Sequence, residues 1–320
     1  MDRWTKVEDA QEGSRPSVVT LGNFDGVHRG HQAVLRTVAQ RGRQAQLRSI
    51  AVTFDPHPVA VLHPERAPAQ IIGPEYRMDL IEQCGLDATL TLPFTREFAQ
   101  LTPEAFVQQV LVEGLNAAVV VVGADTRFGI RNSGDVQTLR QLGRRHGFEV
   151  ATHDVVGEQV DGHRAWSSSG VRAALLVGDV SGASDVLGRL HRVSGRVVHG
   201  HHRGRELGYP TANLGSDSMG MVPADGVYAG WLERLDRPAD HHDRRLPAAI
   251  SVGTNPTFSD VLIRTVEAYV LDRVDLDLYG EHVGVDFVSR LRGNTKFDSM
   301  DELIRQMARD VSVCRSVLLG

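Results

Sequence analysis

At 320 residues the chain exceeds one ordinary domain, and 41% hydrophobic content is ample for two cores. The formal charge is -5 and the 35 basic residues are scattered, which excludes the electrostatic footprint of a nucleic-acid binder. No apolar run approaches the roughly 20 residues that cross a bilayer, since the longest, around 117–122, is strand-sized.

The opening run Met1-Asp2-Arg3-Trp4-Thr5-Lys6-Val7-Glu8 lacks the basic-then-apolar order of a signal peptide. Cys84 and Cys314 stand far apart. The expectation is therefore a cytoplasmic protein with reduced thiols and no structural metal. Only Lys6 and Lys296 are lysines. A Walker-type loop is absent, so any phosphate must be met by Arg, His, backbone N–H groups or a metal ion.

From residue 17 to about 155, short β-branched runs alternate with longer helical stretches, the pattern of a doubly wound parallel α/β sheet. Strands are expected at 17–21, 49–54, 88–92, 117–122 and 149–155. Helices are expected at 30–43, 74–84, 102–115 with Thr102 as N-cap and Pro103 at N1, and 134–146 after Ser133. Two short helices follow, at 167–177 and 181–187. The texture then changes to strands punctuated by Gly and Pro, at 193–199, 211–214, 226–233, 247–252, 264–271 and 282–291. Their regular spacing points to a small antiparallel β-barrel. A terminal helix, 299–318, opens with a Ser299/Glu302 capping box and carries Leu303, Met307 and Val311 on one stripe. The expected division is 1–186 and 187–320.

Ligands of doubly wound sheets bind beyond the carboxyl ends of the strands. There the first strand runs into Gly22-Asn23-Phe24-Asp25-Gly26-Val27-His28-Arg29-Gly30-His31. His28 and His31 are three apart at a helix start, so both rings should project from one side. Gly30 would let phosphate approach the backbone, helped by the unpaired N–H groups and the positive end of the dipole. Imidazoles near their ordinary pKa would then form a cationic clamp suited to charge developing on a triphosphate. Alone, such a pair reads as two exposed histidines; the preceding turn favours a nucleotide site. In the second half, Thr211 and Asn213 alternate onto one face of a strand after Pro210, and both offer oxygen to a hard cation such as Mg2+.

The His28-Arg29-Gly30-His31 run after Gly22-Asn23-Phe24-Asp25 resembles the HxGH nucleotidyltransferases, whose fold is Rossmann-like. More specifically it is similar to the FMN adenylyltransferase module of bacterial bifunctional riboflavin kinase/FAD synthetases. Further matches are Thr53-Phe54-Asp55-Pro56-His57-Pro58, Gly123-Ala124-Asp125-Thr126-Arg127-Phe128-Gly129 and Ser167-Ser168-Ser169-Gly170-Val171-Arg172. The resemblance implies that Gly22, Phe24, Asp25, Gly30 and Asp125 meet ATP, and that Asp55, Pro56 and His57 border the flavin. It also implies that Ser168, Ser169 and Arg172 hold the β and γ phosphates. Asp125 and Thr126 depart from the family's Asn then Phe, and Trp166 stands where a smaller residue is usual.

The kinase half of the same family is resembled by Gly204-Arg205-Glu206-Leu207-Gly208-Tyr209-Pro210-Thr211-Ala212-Asn213. The likeness continues through Arg264-Thr265-Val266-Glu267 and Arg290-Leu291-Arg292-Gly293-Asn294. It implies that Gly204, Arg205, Gly208, Pro210 and Asn213 serve ATP and flavin, with Mg2+ on Thr211 and Asn213. Glu267 is implied as the base for the riboflavin hydroxyl, the step that a neutral alcohol requires. Arg292 would contact flavin or pair with a surface Asp. His201 and His202 replace an expected acidic-containing pair and read as a solvated loop.

The implied function is phosphorylation of riboflavin to FMN by ATP, then adenylylation of FMN to FAD with release of pyrophosphate. Catalysis would rest on His28, His31 and Glu267. No tightly held organic cofactor, nucleic acid or membrane partner is expected, and an oligomer is not indicated. The rivals are another HxGH adenylyltransferase, a class I aminoacyl-tRNA synthetase, which would need a lysine-bearing loop, and a flavin-binding or regulatory homologue with only one active module.

Overall fold

A computed structural model describes residues 1–11, 15–153, 166–199, 209–256, 262–273 and 275–320. The chain divides into two compact units, Met1–Pro68 with Pro74–Trp166, and Ala69–Gly73 with Ser167–Gly320.

The first unit is built on a parallel sheet in the order β1-β4-β3-β2-β5-β6. Its strands are β1 (Asp2–Trp4), β2 (Ser17–Leu21), β3 (Arg48–Asp55), β4 (Ala88–Pro93), β5 (Ala117–Gly123) and β6 (Glu149–His153). The expected continuation of β6 to 155 lies outside the described residues. Runs such as Val18-Val19-Thr20 and Val120-Val121-Val122 are buried throughout, as befits strands covered on both faces. One side of the core joins Val19, Ile50, Val52, Leu90 and Val120 to Phe106, Leu111 and Leu139 from the helices.

Those helices are α1 (Val7–Gln11), α2 (Arg29–Ala45), α3 (Pro58–Leu62), α4 (Pro74–Glu82), α5 (Pro103–Phe106) and α6 (Val136–His146). Thr102 caps α5 as expected, its hydroxyl accepting from Ala105 N–H at 3.1 Å, and the chain then continues as a π-helix over Val107–Gly114. Asp135 caps α6 instead of Ser133, accepting from Thr138 N–H at 2.8 Å. The reason is that Phe128 and Gly134 exchange two backbone hydrogen bonds, which keeps the chain extended up to Asp135. β1 and α1 were not expected; Asp2-Arg3-Trp4 is too short and too charged to read as a strand.

The second unit holds α7 (Ser168–Leu176) and α8 (Val180–Leu187), then β7 (His191–Val198), β8 (Thr211–Leu214), β9 (Gly226–Arg234), β10 (Arg245–Pro256), β11 (Leu262–Val270) and β12 (His282–Arg292). These six strands form a closed antiparallel barrel in the order β10-β11-β8-β7-β12-β9. Val193, Ala212, Tyr228, Leu232, Ile250, Val266, Ala268, Val285 and Phe287 are buried, while the residues between them on β8 and β11 lie on the outer face.

The terminal helix α9 (Met300–Leu319) is capped by Ser299, which accepts from Glu302 N–H at 3.3 Å. The Glu302 carboxylate accepts from Asp298 N–H, one residue before the position of a standard capping box. Leu303, Met307 and Val311 are half-buried, and the fully sealed residue of the helix is Cys314, packed with Ala229 and Leu271. Cys84 and Cys314 are unbridged and buried. Helix α7 and all but the last residue of α8 precede the expected 186/187 division but belong to the second unit, where Ala224 N–H bonds Leu175 O and Arg290 bonds Val177 O.

Candidate active sites

β3, β2 and β5 are neighbours in the first sheet and end together, so the segments after Asp55, Leu21 and Gly123 leave from one edge. Here the strand order reverses direction, the switch point where such sheets receive ligands. Gly22, Phe24, Asp25, His28, Gly30, His31, Asp55, Pro56, His57 and Asp125 all lie on these three segments.

The turn after β2 is tightly bent. Phe24, Gly26 and Val27 have φ of 48°, 81° and 39°, an outlying conformation for a β-branched residue. It is held by Val27 N–H to Phe24 O at 3.1 Å and by the Gln32 side chain to Val27 O at 2.9 Å. Phe24, Asp25, Val27 and His28 are all buried.

His28 is the N-cap of α2, its Nδ1 accepting from His31 N–H at 3.3 Å. A neutral His28 therefore carries its proton on Nε2. The two imidazoles stack, centroids 3.6 Å apart and planes at 21°, with Phe24 edge-on to His31. A Cβ at position 30 would lie 3.2 Å from the His28 ring, so Gly30 leaves the space that this ring occupies. His31 Nδ1 is sealed with no hydrogen-bond partner among the described residues. Burial first, and then the neighbouring His28, push the His31 pKa well below 6.5. The pair is thus not the ready-made cationic clamp expected from its spacing, because spacing carries no information on desolvation.

On the β3 side the Asp55–Pro56 peptide is cis and His57 caps α3, its Nδ1 accepting from Val59 N–H at 3.2 Å. The Asn23 side-chain amide lies 3.2 Å from His57 Nε2, so the turn after β2 and the segment after β3 meet directly. Asp125 is exposed, and its carboxylate folds over Gly123, where a Cβ would come within 3.0 Å. The Arg29 guanidinium lies 5.9 Å from the Trp166 ring centroid, which gives the unusual tryptophan a packing partner.

Ser168, Ser169 and Arg172 belong to α7 in the second unit. Ser167 is the cap, accepting from Gly170 N–H at 3.1 Å, and Arg172 Nε donates to Ala69 O at 2.8 Å.

On the barrel, Thr211 and Asn213 share the outer face of β8, with the Asn213 amide nitrogen 3.3 Å from Thr211 Oγ1. Across the ladder Glu267 sits directly opposite Asn213, and Tyr269 opposite Thr211. Directly opposed residues project to one face, so hydroxyl, amide and carboxylate meet there. Tyr209, next to Pro210, packs edge-on against Tyr269 at 5.2 Å. Gly204, Arg205, Gly208, His201 and His202 lie outside the described residues.

Arg292 pairs with an Asp, though with a buried one where a surface partner was expected. Its Nε and one terminal nitrogen bind the largely buried Asp310 at 3.1 and 2.7 Å, and the other binds Gly293 O and Thr295 Oγ1.

Three features escaped sequence reasoning: Asn23 as a link to His57, Asp310, and Arg77. Arg77 had a signal, because it falls on one stripe with Leu80 and Ile81 of α4, both buried.

A FAD synthetase family model matches residues 10–169, and a riboflavin kinase family model matches residues 187–318. The chain is 36% identical over 305 residues to the bifunctional riboflavin kinase/FMN adenylyltransferase of Escherichia coli K12, covering 95% of this chain and 93% of that one. The chain belongs to the bifunctional riboflavin kinase/FMN adenylyltransferase family. Relatives of the same description occur in Listeria monocytogenes, 33% identical over 97% of this chain and 92% of its own, and in Pseudomonas fluorescens, 35% over 95% and 93%. A crystal structure described as a macrolide-efflux protein from Streptococcus pneumoniae superposes with a TM-score of 0.84 at 34% identity, covering 98% of each chain. Among the described residues no helix is long and apolar enough to cross a membrane. As a bifunctional riboflavin kinase/FMN adenylyltransferase, the protein is a transferase of flavin biosynthesis with both activities, making FMN from riboflavin and FAD from FMN.

Proposed function

We propose that residues 1–186 carry adenylyl transfer and residues 187–320 phosphoryl transfer, each with ATP, in the cytoplasm. In the kinase reaction the riboflavin 5′-oxygen attacks the γ-phosphorus. The bond from that phosphorus to the β,γ-bridging oxygen breaks, ADP leaves, and Glu267 takes the hydroxyl proton. The observation that carries this reading is the opposition of Glu267 to Asn213, with Thr211 beside it.

Thr211 and Asn213 suit magnesium as a partial ligand set. Both present hard oxygens on one face, and no group of three or more His, Cys, Asp or Glu side chains among the described residues could hold a metal by itself. Most of the shell would then be phosphate oxygen and water. When bound, the ion would offset charge on the transferring phosphate.

In the second reaction a phosphate oxygen of FMN attacks the α-phosphorus of ATP and pyrophosphate leaves. This nucleophile is already ionised, so His28 and His31 have charge stabilisation to provide instead of base catalysis. Gly22, Phe24, Asp25 and Gly30 shape the phosphate side, and Asp55, Pro56 and His57 the flavin side. Asp125 faces nucleotide. Gly204, Arg205, Gly208 and Pro210 line the kinase substrates. A flavin contact by Arg292 would use the plane of its guanidinium, because the N–H edge is committed to Asp310, Gly293 and Thr295.

The test is the product distribution from riboflavin, ATP and magnesium. Glu267→Ala should slow FMN formation by about 10²–10⁴-fold and leave FAD formation from supplied FMN unchanged. His31→Ala should slow FAD formation by about 10²–10³-fold and spare FMN formation. Slowing of the same step by both substitutions would refute the division of labour.

A further inference from the structure

Arg77 of α4 is 4% exposed, deeper than any other arginine among the described residues of the first unit. One terminal nitrogen donates to Asn23 O at 3.2 Å and the other to Phe54 O at 3.5 Å. Asp55 Oδ1 is 3.9 Å away, and Nε is sealed without a hydrogen-bond partner among the described residues. A buried cation with long hydrogen bonds, its ion pair with Asp55 stretched to 3.9 Å, is a costly arrangement for a core.

Its two acceptors are informative. Asn23 lies in the turn that leads to His28 and His31, and its side chain reaches His57. Phe54 immediately precedes Asp55-Pro56-His57. The Asn23 carbonyl also accepts from Thr53 Oγ1 of β3 at 3.2 Å. One planar guanidinium therefore grips the backbone of both segments whose side chains meet at the Asn23–His57 contact, a geometry that a single ammonium point charge does not reproduce.

We propose that Arg77 is a positioning residue for adenylyl transfer, setting the distance between the turn bearing the paired imidazoles and the segment bearing His57. This rests on the reading of that edge as the adenylyl-transfer site. Misplacement of reacting groups lowers turnover more than ground-state affinity, so the signature is a fall in kcat with little change in KM.

The experiment uses the full chain with Arg77→Met, Arg77→Lys and, in parallel, His31→Ala. FAD formation from FMN and FMN formation from riboflavin are measured on each protein, with its Tm. Arg77→Met should lower kcat for FAD formation at least about twentyfold, with KM for ATP within about threefold. Arg77→Lys should fall between it and the parent. FMN formation should stay within about twofold throughout and so reports a folded second module. FAD formation within threefold of the parent in Arg77→Met, or a KM effect alone, would overturn the proposal. So would loss of FAD formation in both Arg77 variants that only tracks a lowered Tm. If His31→Ala leaves FAD formation intact, the site reading itself fails. If His31→Ala abolishes it while Arg77→Met does not, only the positioning role fails.

Discussion

His31 shows how a side chain's surroundings change the role its spacing suggests. With its pKa held well below 6.5 by burial and by His28, the ring is uncharged near neutrality. A polyphosphate placed beside it supplies the opposite charge and favours the protonated form. Nucleotide binding at the first site should therefore take up a proton, increasingly as the pH is lowered toward 6. Calorimetry in two buffers of different ionisation enthalpy measures this, and the difference between the parent protein and His31→Gln isolates it from the second site. Identical uptake in both proteins would show that the imidazole stays neutral. On the barrel, Thr211→Val keeps the shape of the side chain and removes its oxygen. Riboflavin phosphorylation should fall about tenfold or more while adenylylation of supplied FMN is unaffected, as separate steady-state assays would show.

At the scale of elements, local chemistry decided most of what could be read in advance. The β-branched runs became β2 to β6, Pro103 after Thr102 began α5, and Ser299 began α9. Thr102→Ala should cost about 1 kcal/mol in urea unfolding. Ser133→Ala should cost nothing measurable, because Asp135 is the cap of α6. What stayed illegible depends on partners distant in sequence. β1 is a strand only because Asp2, Arg3 and Trp4 pair with Ala88, Thr89 and Leu90. The stripe that Arg77 shares with Leu80 and Ile81 marks burial but not its acceptors, Asn23 and Phe54, which come from other elements. Glu267 and Asn213 could each be placed on a strand, but only the register of β8 against β11 brings them face to face.

For the molecule as a whole, two folds with different periodicities were visible in the chain. The packing of α7 and α8 with the barrel was not, since short helices between domains carry no mark of which side they join. The second unit also contains a built-in acid limit. His191 of β7 is fully buried, with Nε2 2.7 Å from Met221 O and Nδ1 without a partner among the described residues. Desolvation is the main cause that lowers its pKa from 6.5 to about 4, partly opposed by the Met221 hydrogen bond. Between those values the unfolded chain binds the extra proton, so stability is lost as the pH falls through this window. The full loss is about 3 kcal/mol at 1.36 kcal/mol per pH unit. Denaturant unfolding of the parent and His191→Gln from pH 7 to pH 4 should show a weaker pH dependence in the variant, and parallel curves would reject the assignment.

Closure of the barrel has one more consequence. Six strands hydrogen-bonded in a ring leave no end strand among the described residues, whereas the first sheet ends in β1 of 3 residues and β6 of 5 described residues. Brevity at both margins limits how far a foreign chain could extend either side, a natural safeguard against fibre growth.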